Sequence, residues 1–384
     1  MIKGLEEIKR ASAARPEELR WSTPIGYFCN YVPEELIHAA GLSPIRLMWG
    51  GEKEPEISGG EYITPNSCSY AKSCIGYRAS GKDPFFMATN YIVESPACVQ
   101  MEWVLETLEK YFGVQVIPIG LPRKFGENQA LAYYLRELED FRERIEKIAD
   151  KKITEEDLKN SISLYNSIRQ KLRAIYNFLK EEFPPVSWEE AHEIVEAGFV
   201  LDRQKYLKIL DTVLEELALI RERRKGNRRG PRLLIAGSIL ASGDRKILDL
   251  VKELGVNIVI DELCTGTRWF WNDVEEPTLE GLARRYLGKI PCATLPDVRR
   301  EGNARREHIK ELIKQYRVAG VISYTLRFCD AYAFKVEDDR KWLNQMGIPL
   351  LHINSDYSSI SLGQIRTRME AFIELLQGQK YSTQ

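Results

Sequence analysis

The feature that most constrains the fold of this 384-residue chain is an alternation of short apolar runs with amphipathic segments at both ends. The apolar runs predict eight strands, and helices are predicted between them. The strands are predicted at 25–28, 44–49, 84–93, 114–119, 232–236, 257–261, 320–325 and 349–353. Because a repeated βα order is typical of parallel sheets covered by helices, each end is predicted to be an open, mostly parallel α/β domain.

The middle of the chain has a different periodicity. Between about 127 and 224, Leu, Ile and Tyr recur at three- and four-residue spacing among charged residues, which predicts helices. A glycine-containing basic stretch, 226–231, is interpreted as a linker. We therefore predict an α/β fold with two flavodoxin-like domains, 1–126 and 227–384, and a helical insertion at 127–226 between them.

Charge and hydropathy exclude several classes of function. The 56 acidic and 55 basic side chains nearly cancel, which predicts no field able to hold nucleic acid. No apolar run approaches the length of a membrane span, and the charged N-terminal stretch lacks the apolar core of a signal peptide. A cytoplasmic location is therefore expected. Seven cysteines in that reducing compartment indicate metal or redox chemistry more than disulfides.

Most of the cysteines follow predicted strands, where open parallel sheets bind ligands. Five are predicted on strand-to-helix connections: Cys29, Cys98, Cys264, Cys292 and Cys329. For Cys292 the preceding strand is the short run 289–291.

A further cysteine, Cys68, is predicted at the start of a helix. Thiolates ligate iron–sulfur clusters, and a helix N-terminus stabilises the thiolate. A free cysteine can also pack as a small buried hydrophobe, and that alternative stays open for each position taken singly. Zinc is disfavoured because no Cys-x2-Cys pair occurs and the four histidines are scattered.

One segment nearly matches a phosphate-binding loop. The sequence GYRASGK at 76–82 is followed by Asp83, where Ser or Thr would be needed to hold magnesium, and it follows a predicted helix instead of a strand. We therefore expect that this chain does not bind ATP itself.

Four further segments stand in a characteristic order. They are GYFCNYVPEELIHAAG at 26–41, NSCSYAKSCIG at 66–76, GVISYTLRFCDAYAF at 320–334 and DYSSISLGQIRTRMEAFIE at 356–374. With these segments, essentially the whole chain resembles the 2-hydroxyacyl-CoA dehydratase and benzoyl-CoA reductase superfamily. By that resemblance, Cys68, Cys98 and Cys329 correspond to the three cysteine ligands of one 4Fe–4S cluster. The family often has Asp after the second of these, where this chain has Val99.

The resemblance extends to a particular branch of that superfamily. Cys264 and Cys292 resemble the added cysteines of the double-cubane cluster branch, and with Cys29 they form a second set of three. Six such positions imply an 8Fe–9S double-cubane cluster, two cubanes joined by one sulfide. Cys74 is left outside the set.

The resemblance implies a homodimer that receives low-potential electrons from a separate ATP-hydrolysing iron–sulfur activator and reduces a small-molecule substrate. Two alternatives stay open. One is a 2-hydroxyacyl-CoA dehydratase subunit with a single 4Fe–4S cluster, which would need a second, different subunit. The other is a non-enzymatic α/β binding protein.

Several polar residues near the cysteines are candidates for catalysis or for contacts with a cluster or substrate. The catalytic candidates are Glu34, Glu35, Arg268 and Arg327. Thr265, Asp330 and Tyr332 are further neighbours of the cysteines. Helix capping is the alternative role for the two glutamates, and salt bridges are the alternative for the two arginines.

Overall fold

The computed structural model describes residues 3–12, 22–95, 98–123, 127–223, 230–295 and 303–381. Eight strands alternate with helices in the two end regions. The strands are β1 Pro24–Tyr27, β2 Ser43–Arg46, β3 Tyr91–Glu94, β4 Gln115–Pro118, β5 Arg232–Gly237, β6 Asn257–Glu262, β7 Gly320–Leu326 and β8 Leu350–Ser355. The helices are α1 Lys3–Ser12, α2 Glu34–Ala39, α3 Lys53–Gly59, α4 Ser69–Ser80, α5 Pro84–Ala88, α6 Val99–Phe112, α7 Glu127–Ala149, α8 Glu155–Phe178, α9 Trp188–Ala197, α10 Arg203–Arg223, α11 Lys246–Glu253, α12 Thr267–Phe270, α13 Leu279–Gly288, α14 Ala304–Tyr316, α15 Asp330–Gln345 and α16 Leu362–Tyr381.

The strands form two sheets with the same topology. The first has the order β2-β1-β3-β4 and the second β6-β5-β7-β8, and every neighbouring pair is parallel. This confirms the prediction of two parallel α/β units. In each sheet the strand order reverses beside its first strand, between β1 and β3 and between β5 and β7. The crevice beyond the carboxyl ends at such a reversal is where open α/β sheets bind ligands.

One predicted strand, 84–93, divides into a helix and a strand. The Asp83 carboxylate accepts hydrogen bonds from the backbone N–H groups of Phe85 and Phe86, at 2.9 and 2.8 Å, and Pro84 occupies the first helical position. These signals start α5, so only Tyr91–Glu94 remains as strand β3. Helix α15, between β7 and β8, begins at Asp330, directly after Cys329.

The helical middle consists of α7 to α10 and packs into the same core as the sheets. Capping boxes begin α8 at Thr154 and α9 at Ser187. One apolar cluster includes Trp188 of α9 together with buried residues of both sheets, such as Ile92 and Ile260. The predicted domain boundaries fall on 124–126 and 224–229, which with most of the 226–231 linker lie outside the described residues, so the division stays a prediction.

The two sheet regions meet where the backbone just after β2 pairs with the backbone after β5. Ser242 donates its N–H to Met48 O at 2.9 Å, and Gly50 donates to Ser242 O at 3.1 Å. Gly51 has φ +88°, and a Cβ there would lie 2.4 Å from Gly243 O. Glycine therefore permits both the conformation and the close approach of the two backbones. This crossing holds the carboxyl ends of the two sheets toward a common crevice.

Candidate functional site

A cavity of about 530 Å³ lies at the carboxyl ends of both sheets. Its size is in the range of roughly 300–1,000 Å³ that is usual for ligand sites. Six of the seven cysteines line it: Cys29, Cys68, Cys98, Cys264, Cys292 and Cys329. The seventh, Cys74, lies within α4, is 0% exposed and does not line the cavity. All seven are free thiols.

Four of these cysteines stand on strand-to-helix connections, as predicted. They follow β1, β3, β6 and β7: Cys29, Cys98, Cys264 and Cys329.

The prediction for the fifth, Cys292, was wrong. It follows helix α13, and the segment 289–291 forms no strand. The N–H of Lys289 instead bonds Arg285 O at 2.9 Å, closing α13, and Pro291 has no N–H to give to a sheet.

Three cysteines share a helix-cap position. Cys68, Cys98 and Cys329 are the N-caps of α4, α6 and α15. Their carbonyls accept the N–H groups of Lys72, Met101 and Ala333 at 3.0, 3.1 and 3.0 Å. A helix N-terminus carries a partial positive charge, so all three helices present a favourable field to an anionic group in the cavity.

The other three cysteines have buried side-chain neighbours instead of long helices. The Arg46 guanidinium donates from Nη1 to Cys264 O at 2.6 Å and from Nη2 to Cys264 Sγ at 3.2 Å. Cys292 donates its backbone N–H to the Tyr31 hydroxyl at 3.1 Å. These contacts fix the directions in which the two cysteines face the cavity.

A buried lysine stands behind this second group. Lys289 is 2% exposed, and its Nζ donates to Asn30 O at 2.7 Å, next to Cys29. The ammonium lies 5.3 and 5.4 Å from the ring centroids of Tyr31 and Tyr286. Burial, and then the nearby Arg285, hold the pKa of Lys289 well below its usual value.

A glutamine joins the two end regions at the cavity wall. Gln100 Oε1 accepts the N–H of Cys68 at 2.5 Å, while its Nε2 donates to Phe328 O at 2.7 Å. Phe328 has φ +65°, a left-handed conformation that is costly for a bulky residue. The strained residue directly precedes Cys329, so Gln100 helps to fix two of the cysteines relative to each other.

Burial governs the acidity of the thiols. It raises the pKa of Cys29 to about 12 and that of Cys68 to about 11, and the neighbouring thiols add to the rise. The pKa values of Cys98 and Cys329 are raised for the same reasons. For Cys292, burial would raise the pKa, but the Arg268 guanidinium and the hydrogen bonds from Thr294 together outweigh it, so the pKa of that thiol is lowered. The thiolate forms therefore require positive charge nearby.

The polar candidates near the cysteines separate into two groups. Arg268, Asp330 and Tyr332 line the cavity. Arg268 forms an ion pair with Glu262 at 3.1 Å and donates to the Tyr332 hydroxyl at 2.6 Å. That hydroxyl lies 3.9 Å from Cys292 Sγ.

Two other candidates lie off the cavity wall. Arg327 is 51% exposed and pairs with Asp356 at 3.1 Å. The Thr265 hydroxyl bonds Leu240 O at 3.4 Å. Neither side chain lines the cavity.

The two glutamates of α2 also lie off the cavity wall, in buried ion pairs. Glu34 accepts Arg203 Nη2 at 2.9 Å and Trp269 Nε1 at 2.6 Å. Glu35 pairs with Arg169 and accepts the Tyr286 hydroxyl at 2.9 Å. These contacts join α2 to the helical middle and to α12 and α13. The two glutamates therefore stabilise the packing of α2 and do not face the cavity.

Three residues of the site were not predicted from the sequence: Arg46, Gln100 and Lys289. Gln100 follows Cys98 by two positions and Lys289 precedes Cys292 by three, so proximity in sequence could have found them. Arg46 could have been found as the charged residue inside the otherwise apolar predicted strand 44–49.

The donor set fits a group larger than one metal ion. In the ranges that the structure covers, no three His, Cys, Asp or Glu side chains come close enough to hold a single ion. The six thiols are instead spread around the cavity wall, where a multi-iron cluster has its ligands. The buried Ser95 hydroxyl also lines the cavity and has no hydrogen-bond partner among the described residues. Among all the residues that the structure describes, no helix is long and apolar enough to cross a membrane.

Comparison with known proteins supports the family resemblance. Residues 29–376 match the family of the 2-hydroxyglutaryl-CoA dehydratase D-component. A protein of Escherichia coli strain K12 named as a dehydratase subunit is 26% identical over 92% of this chain and 91% of its own length. The (R)-phenyllactyl-CoA dehydratase beta subunit of Clostridium sporogenes is 25% identical over 92% of this chain and 91% of its own length. A benzoyl-CoA reductase subunit of Thauera aromatica is 26% identical over 80% of this chain and 78% of its own length. Because the match spans nearly the whole chain, this protein belongs to the 2-hydroxyglutaryl-CoA dehydratase D-component family.

Proposed function

We propose that this chain is an iron–sulfur reductase in which six cysteines hold an 8Fe–9S double-cubane cluster. The observation that carries the proposal is that all six cysteines line one cavity while Cys74 does not. The first set, Cys68, Cys98 and Cys329, is the set of helix caps. The second set is Cys29, Cys264 and Cys292. Each set takes cysteines from both sheet regions, so a cluster of this kind would lie across the crevice.

The cluster would supply single electrons at low potential. Around it, Phe28, Val99 and Met101 contribute apolar surface to the cavity wall. Arg268 holds the Tyr332 hydroxyl toward Cys292, where the hydroxyl can donate a hydrogen bond to sulfur. A small substrate would enter past Phe334, which lines the cavity and is 82% exposed.

The remaining features of the proposal follow from the family. The chain would act as a cytoplasmic homodimer and receive electrons from a separate ATP-hydrolysing activator that carries its own cluster. The near balance of acidic and basic side chains is consistent with small-molecule chemistry and gives no field for nucleic acid.

A second candidate is a 2-hydroxyacyl-CoA dehydratase subunit with one 4Fe–4S cluster on Cys68, Cys98 and Cys329. The names of two relatives, the Escherichia coli and Clostridium sporogenes proteins, favour it. The shared helix-cap geometry of these three cysteines is also consistent with a self-sufficient set of ligands.

Iron and sulfide analysis of anaerobically purified protein separates these functions. An 8Fe–9S cluster predicts about eight iron per chain, a single cubane about four, and a binding protein without a cluster none. Cys264→Ala and Cys292→Ala should lower the iron content, whereas the matched variant Cys74→Ala should keep it. About four iron per chain, unchanged in Cys264→Ala, would contradict the double-cubane proposal.

A further inference from the structure

Positive charge is distributed unevenly around the cavity, because two buried cationic side chains lie on one side of it. Arg46 is 0% exposed and bonds the carbonyls of Phe28 and Cys264, the Cys264 sulfur and the face of Phe199. Lys289 bonds one carbonyl and lies against two tyrosine rings. In the part of the chain that the structure describes, neither has a carboxylate within ion-pair distance. Both stand beside the cysteines of the second set.

The cations that line the cavity itself, Arg123 and Arg268, carry their own carboxylates. Arg268 pairs with Glu262, which Arg305 shares at 3.1 Å. On the side of the first set, Lys72 pairs with Glu56 at 3.1 Å. The charges of these cations are therefore largely balanced before any ligand binds.

Helix N-termini offset this inequality only in part. Each contributes about half a charge to the first set of cysteines. Helix α15 also holds a carboxylate in its first turn, Asp330, whereas the first-turn acid of α6, Glu102, pairs with Arg123 at 3.8 Å. An acid in that position opposes the partial positive charge. Arg46 keeps its charge when buried, and a negative group bound beside Lys289 would favour the ammonium form of that lysine. Two charges beside the second set would then outweigh what remains beside the first.

A buried cationic side chain without a carboxylate is costly, and a fold that keeps Arg46 and Lys289 side by side with the same cysteines implies a negative group close by when the cofactor is bound. We infer that Arg46 and Lys289 are the counter-ions of the bound cofactor and make the half held by Cys29, Cys264 and Cys292 the half that takes up the first electron. This inference rests on the proposed function and deepens it. In that step a one-electron donor loses one electron and the cofactor half gains it, so one negative charge is added next to the two cations and no proton moves.

The test is a redox titration of the anaerobic holoprotein with titanium(III) citrate, followed by electron paramagnetic resonance. Lys289→Met removes the charge at similar size, and Lys289→Arg keeps it. We expect Lys289→Met to lower the equilibrium constant for reduction in the first couple at least tenfold, which lowers the midpoint potential by 59 mV for one electron. Lys289→Arg should stay within threefold of the wild type. Iron retained in Lys289→Arg but lost from Lys289→Met would also support a counter-ion.

A matched control removes the same formal charge on the other side. Lys72→Met lies four residues after Cys68, and Glu56 keeps Lys53 as a partner at 3.0 Å. We expect the first couple to stay within threefold of the wild type. The inference would be overturned by an equal shift in Lys72→Met and Lys289→Met. Equal shifts in the two Lys289 variants, or loss of iron from both Lys289 variants, would overturn it as well. Wild-type protein without iron and sulfide would instead refute the proposed function.

Discussion

Replacing Glu35 by Gln should be among the most destabilising single changes in this chain. The side chain is 0% exposed and ion-paired with Arg169, and it also accepts the Tyr286 hydroxyl. The isosteric amide keeps the shape but leaves a buried guanidinium without a counter-charge. Breaking a buried pair from one side costs roughly 3–5 kcal/mol. Because the amide oxygen can still accept one hydrogen bond, we expect about 3 kcal/mol, the lower end of that range.

Urea unfolding, followed by tryptophan fluorescence and far-ultraviolet circular dichroism, measures this cost. The control is Glu155→Gln, an exposed glutamate in the first turn of α8, for which a change below about 0.5 kcal/mol is expected. A double-mutant cycle with Arg169→Gln should show a double variant less destabilised than the sum of the single variants. A loss below about 1 kcal/mol in Glu35→Gln would refute the description of a buried, mutually dependent pair.

The same variant should change the dependence of stability on pH. Burial alone would raise the pKa of Glu35, but Arg169 and Arg285 lower it below its ordinary value of 4.5. The folded chain therefore binds the proton less readily than the unfolded chain. The stabilisation is complete above pH 4.5 and is lost as the pH falls through the lower, folded-state pKa. The wild type should lose more stability than Glu35→Gln over that acidic range, and parallel curves would contradict this assignment.

Two other changes probe the loops that carry cysteines. In urea unfolding, Phe328→Gly should be more stable than Phe328→Ala by about 1 kcal/mol. Both variants remove the ring, but only glycine tolerates φ +65° without strain. Equal stabilities would contradict a strained backbone before Cys329. Asp261→Asn should lower the free energy of unfolding by about 2–4 kcal/mol. Asp261 accepts two backbone N–H groups, the Tyr176 hydroxyl and Trp188 Nε1, and an amide cannot accept all four. An equal effect of Asp140→Asn, an exposed control, would refute this.

The alternation of apolar runs was sufficient to predict both parallel sheets, because strands buried on both faces are nearly continuous in hydrophobicity. Strand β7, for example, is buried at every position. The exceptions arose where local chemistry overrode the apolar pattern. Asp83 and Pro84 start a helix inside an apolar run, and the short segment before Cys292 has no partner strand.

The cavity was predictable in part, because cysteines that follow parallel strands must gather at one edge. What could not be predicted was the set of contacts between residues distant in sequence. Arg46 meets Cys264 across 218 positions and Gln100 meets Phe328 across 228. No local pattern encodes such pairs. They depend on how the glycine-mediated backbone crossing at 48–51 and 241–243 orients the two sheets.

The division of the cysteines between the two sheet regions has a consequence for biosynthesis. Cys29, Cys68 and Cys98 are made early, but each proposed set of three needs a partner from the last third of the chain. During translation, the second set is complete only after residue 292 and the first only after residue 329. If these sets hold the cofactor as proposed, the N-terminal thiols have to stay reduced until then, and the cofactor can be inserted fully only into a nearly finished polypeptide.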